Sequence, residues 1–141
     1  MGNEKIHLSI IEDDAIFAEA LRMVGEDIQA SGFDIEIDTF LDGNAFVQSE
    51  VFHSKQKQVV LLNDNLTKLD GFEVTRRLRE LPNSQHIFVI MMSMGTTEEE
   101  IIHAFKIGID DFIARPLNLR ILQTFMERVI ERLRGEDEPI L

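Results

Sequence analysis

Short, β-branched apolar runs alternate along this chain with longer stretches of helical period. That alternation is the mark of an α/β fold built on a parallel sheet. Strands are predicted at Ile6–Ile11, Ile35–Phe40, Val59–Leu62, Phe88–Met92 and Ile109–Ile113. The third and fourth are wholly apolar and the first mostly so, as strands covered on both faces must be. The second, Ile35-Glu36-Ile37-Asp38-Thr39-Phe40, alternates and belongs at a sheet edge. Helices are predicted from about Ala15 to Ala30, Asn44 to His53, Phe72 to Glu80, Thr97 to Ile107 and Asn118 to Arg134. In the first, Phe17, Leu21, Val24 and Ile28 share a face. Five strand–helix repeats with right-handed crossovers give a doubly wound sheet, whose working site lies beyond the carboxyl ends of its strands.

Length and composition narrow this picture. A chain of 141 residues, 44% of them hydrophobic, suits one domain with one packed core, here 1–134 with 135–141 as a polar tail or the start of a linker. A formal net charge of −12 argues against nucleic acid and against anionic membranes as partners. The absence of cysteine excludes disulfides and thiolate metal sites. Met1-Gly2-Asn3-Glu4-Lys5 carries no apolar run for a signal peptide or a span, so the expected compartment is cytoplasmic. The four histidines have no ligand spacing and read as surface or strand-end residues; Met91, Met92 and Met94 read as core.

The candidate chemistry collects at strand ends. Glu12-Asp13-Asp14 follows strand one, Asn63 ends strand three seven residues before Asp70-Gly71, Ser93 follows strand four, and Arg115-Pro116 follows strand five. Adjacent carboxylates at the end of a buried strand need compensation, and a hard divalent cation held by oxygens is one solution. Asp14 is placed to cap the first helix instead. Ser93 stands thirty residues after Asn63 and twenty-two before Arg115.

Residues of these types at these spacings resemble the response regulator receiver domain of two-component signalling. The resemblance implies a flavodoxin-like, CheY-like five-stranded parallel sheet of order 2-1-3-4-5 with five helices. It implies Mg²⁺ held by Asp13, by the side chain at 63 and by the backbone carbonyl of Asn65, with Glu12 acting through water. It makes position 63 the phospho-acceptor, Ser93 and position 115 the groups that sense the phosphoryl group, and Phe112 the switch aromatic. It implies a cis bond before Pro116, and a sensor histidine kinase or other signalling protein as partner. Contact through the face of helix four, strand five and helix five, by Ile101, Phe105, Leu122, Phe125 and Met126, would allow a homodimer.

Two site positions depart from the family. Asn63 stands where a carboxylate accepts the phosphoryl group, so the pocket loses one negative charge and its nucleophile, and Mg²⁺ binding is expected to weaken. Arg115 stands where the family uses lysine, and a planar fork replaces a point charge. Asp64 is no substitute acceptor, because alternation along a strand turns neighbours to opposite faces. Thr67 stands where proline is common. These departures fit an atypical receiver that works by protein–protein interaction. The rival is an ordinary phosphorylatable receiver whose acceptor has been exchanged for asparagine. An Mg²⁺-dependent phosphatase would want Asp-x-Asp after a strand, which Asp64-Asn65-Leu66 does not supply. A flavin binder would want a phosphate loop where Glu12-Asp13-Asp14 stands.

Overall fold

The structure, a computed structural model, describes residues 5–66, 68–82, 84–93 and 97–135. Residues 1–4, Thr67, Met94 and the tail beyond Gly135 lie outside the described residues. The elements run β1 (Ile6–Ile11), α1 (Ala15–Ala30), β2 (Ile35–Phe40), α2 (Gly43–Val47), β3 (Gln58–Asn63), α3 (Gly71–Arg79), β4 (Ile87–Ser93), α4 (Glu98–Ile107), β5 (Asp111–Ala114) and α5 (Leu119–Gly135). All strand pairs are parallel, in the order β2-β1-β3-β4-β5, which is the doubly wound order expected.

The apolar runs are continuous because the sheet is covered on both faces. Leu8, Ile10, Leu61, Ile90 and Met92 pack on one side with Leu21, Val24 and Ile28 of α1 and Leu122, Met126 and Val129 of α5. Ile11, Val60, Leu62, Val89 and Met91 face the other side with Phe46, Val74, Leu78 and Ala104. This two-sided burial supplies the main driving force for folding. His7 departs from expectation. It is buried within β1, and its Nε2 meets Asp38 Oδ2 at 2.8 Å, tying β1 to the edge strand.

Helix starts follow local side-chain chemistry. Asp14 Oδ1 accepts from the backbone N–H of Ile16 and Phe17, and Asp70 Oδ1 from that of Glu73, each satisfying donors a helix leaves open. Thr97 and Glu100 form a reciprocal capping box at α4. Helix α2 is shorter than Asn44–His53, ending at Val47. There Ser49 Oγ donates to the carbonyl of Phe46 and accepts from the N–H of Phe52, so side-chain bonds replace the helical ladder. Strand β5 starts at Asp111 rather than Ile109, because Asp110 turns its carboxylate towards Val89 N–H and Arg79.

Candidate functional site

The carboxyl ends of β1, β3, β4 and β5 bring the sequence candidates together, in two groups set by strand alternation. Glu12, Asn63 and Arg115 form one group on the side of the sheet that α1 covers. Glu12 is 1% exposed, although it is a carboxylate. Its oxygens accept from Asn63 Nδ2 at 3.1 and 3.2 Å, from Asp14 N–H at 3.1 Å, and from the guanidinium of Arg115. Asn63 completes its hydrogen bonding through Oδ1, which accepts from Asn65 N–H at 3.1 Å. The guanidinium carbon of Arg115 lies 4.4 Å from the centroid of the Phe17 ring, a cation–π contact from the first turn of α1. Sequence reasoning gave Phe17 only a core role, and no motif marks its second one.

The second group lies on the opposite face. Ser93, 1% exposed, donates through Oγ to Asp64 Oδ2 at 2.5 Å. Asp64 is turned away from Asn63, as alternation requires, and that turn brings it to Ser93. Backbone bonds fix both: Asp64 N–H donates to the carbonyl of Met92, and Arg115 N–H to that of Ser93. Sequence reasoning missed this pair, although the register that sets Asn63 against Met92 makes it readable once the sheet is known.

Asp70-Gly71 has a local cause. Asp70 caps α3, and the loop after β3 folds back so closely that a Cβ on Gly71 would stand 2.6 Å from the carbonyl oxygen of Asn63. The amide hydrogen of Gly71 donates to the carbonyl of Asp64 at 3.0 Å, pinning the end of β3 under the start of α3. The Arg115-Pro116 bond is cis, as expected.

Asp13 is half-buried and makes no hydrogen bond or ion pair among the described residues. Phe112 is half-buried, pairs with Met91 across β4–β5, and packs against the α3–α4 side of the core. Ile101 is half-buried and Phe105 is 46% exposed. Leu122 and Met126 need correction: they are core residues, 2% and 0% exposed, and cannot contribute to a contact face. Phe125 also leans inward, its ring 6.2 Å from that of Phe88. The exposed apolar groups of this face are instead Ile102, Phe105 and Ile121.

Mg²⁺ needs near-octahedral oxygen ligation. Among the described residues, no group of three or more His, Asp or Glu side chains is placed to hold a metal. Glu12 already accepts from a cation and an amide, and Asn63 Oδ1 from a backbone N–H. Of the side-chain oxygens expected to serve the metal, those of Glu12 are filled, Asn63 Oδ1 keeps one lone pair and only Asp13 is uncommitted; with the Arg115 guanidinium already holding the positive charge of the pocket, the arrangement does not fit the ion.

A model of the response regulator receiver domain matches residues 8–127. The chain belongs to that family. RprY, a transcriptional regulatory protein of Bacteroides fragilis, is 29% identical over 134 residues, covering 95% of this chain and 53% of its own. The receiver chain thus spans about half the length of the curated relatives it matches. A CheY-like response regulator receiver domain protein from Methanospirillum hungatei superposes with a TM-score of 0.74 at 16% identity, covering 94% of this chain and 99% of that one. The receiver domain of the sensor histidine kinase PA1611 from Pseudomonas aeruginosa, crystallised with magnesium in its active-site cleft, has a TM-score of 0.72 at 18% identity and covers 94% of this chain and 99% of that one. Both likenesses bear on the fold alone. As a receiver domain the chain is a module of two-component signalling. Among the described residues no helix is long and apolar enough to cross a membrane.

Proposed function

We propose that this receiver signals through protein–protein contact without storing a phosphoryl group at position 63. The observation that carries the reading is the Asn63 amide. It occupies the acceptor position as a hydrogen-bond donor already engaged by Glu12, and an amide forms no acyl phosphate. Arg115 supports the same reading, because its charge is engaged with Glu12 rather than presented to an incoming anion. An asparagine introduced alone into an otherwise ordinary receiver would leave the altered cation at 115 without a reason. The Ser93 hydroxyl, which a phosphoryl oxygen would need, has a carboxylate partner inside the chain.

Receivers work with sensor histidine kinases and other signalling proteins, and such a protein is the partner we assign here. Exposed Ile102, Phe105 and Ile121 offer the apolar contacts for it, or for a second copy of the chain. With one carboxylate fewer than a receiver with aspartate at 63, the pocket has less negative charge to attract Mg²⁺.

The test is intact-mass measurement after incubation with a small acyl-phosphate donor and Mg²⁺. The expected result is no added phosphoryl group on the chain. A gain on any carboxylate, Asp64 included, would overturn the reading.

A further inference from the structure

Glu12 is the buried charge around which the pocket is organised, and a carboxylate removed from water needs a counter-charge held in good geometry. Here the counter-charge is covalently part of the chain. The Arg115 guanidinium pairs with Glu12, while the amide of Asn63 and the N–H of Asp14 satisfy the remaining lone pairs. The guanidinium is positioned from its other side by the Phe17 ring at 4.4 Å. Arginine suits this role because its fork is planar, always charged and weakly hydrated, so it loses less on leaving water than an ammonium does. Asn63 adds to the effect, because the group that would offer an oxygen to a cation offers N–H hydrogens on the Glu12 side.

We propose that Arg115 is the resident cation of this pocket, standing in for a divalent metal, and that the receiver is therefore metal-independent. Arg115 and Asn63 then act as a matched pair: one supplies the positive charge and the other removes the negative charge that would call for more. The proposal rests on the reading of position 63 given above. Its test uses no phosphodonor, so the two fail separately.

The test is thermal unfolding of the chain and of Arg115→Gln, each with millimolar Mg²⁺ and with EDTA. A ligand that binds only the native state raises Tm by mass action. The chain is expected to show the same Tm in both buffers. Arg115→Gln, with Glu12 and Asp13 left without a cation, is expected to gain several degrees in Mg²⁺. Adding Glu12→Gln to that variant is expected to abolish the gain, which locates the ion in the pocket rather than on the acidic surface. An equal Mg²⁺-dependent rise in the chain and in Arg115→Gln would overturn the proposal, as would no rise in a folded Arg115→Gln. Should that variant not fold, calorimetric titration of the unmodified chain decides: no saturable Mg²⁺ binding supports the proposal, and saturable binding that Glu12→Gln removes overturns it.

Discussion

Replacing Arg115 by alanine is expected to destabilise the fold by about 3 kcal/mol, and adding Glu12→Gln is expected to recover most of the loss. The asymmetry follows from burial. Glu12 is 1% exposed and the Arg115 side chain 20%, so removing the cation leaves a buried carboxylate without its counter-charge. Removing the carboxylate instead leaves a guanidinium that water reaches, and a neutral glutamine still accepts from the Asn63 amide. Glu12→Gln alone is therefore expected to cost only about 1 kcal/mol, the scale of a net hydrogen bond. The cation–π contact with Phe17 contributes roughly 1 kcal/mol to the part that Glu12→Gln cannot restore. Urea unfolding of the two single variants and the double variant measures the coupling between the sites. A large coupling supports a buried pair. Additive losses would mean that Arg115 acts through packing.

Arg79→Ala is expected to cost about 3 kcal/mol, by a different mechanism. The Arg79 guanidinium donates to the carbonyls of Gly108, Ser84 and Ile87 at 2.8, 2.6 and 2.8 Å, and to Asp110 Oδ2 at 2.6 Å. One side chain at the end of α3 thus joins the turn before β4, the first residue of β4 and the α4–β5 turn. Asp110 also accepts from Val89 N–H, so losing the arginine loosens the register of the last two strands. Gly108 is part of the fit. Its φ is 137°, and a Cβ there would stand 2.6 Å from Arg79 Cγ. Arg79→Lys is expected to recover little, because a single ammonium cannot span four acceptors in the fixed geometry of a fork. Urea midpoints check this. A loss under about 1 kcal/mol would place Arg79 with ordinary exposed ion pairs.

The fold was legible because its signal is periodic. The predicted bounds of β1 and β2 match the structure to the residue, and those of β3 and β4 to within one at each end. The misreadings are places where side chains compete with the backbone: Ser49 ends α2 early, and Asp110 delays β5. The candidate site was legible as a set of strand ends, since a doubly wound sheet gathers them at one edge. Its internal wiring was not. Strand alternation separates Asn63 from Asp64, but only the register of β3 against β4 gives Asp64 to Ser93. Phe17 carries no motif for its contact with Arg115. Leu122 and Met126 belong to the core rather than the contact face, because helical period marks apolar residues without saying which face the core claims.

Asn63 and Arg115 together are proposed to take this receiver out of phosphoryl chemistry. Intact mass after incubation with an acyl-phosphate donor and Mg²⁺ tests this on four proteins: the chain, Asn63→Asp, Arg115→Lys, and the double variant. One added phosphoryl group is expected on the double variant alone, because only there are both the nucleophile and the metal-compatible pocket restored. A full gain on Asn63→Asp with Arg115 still in place would contradict it.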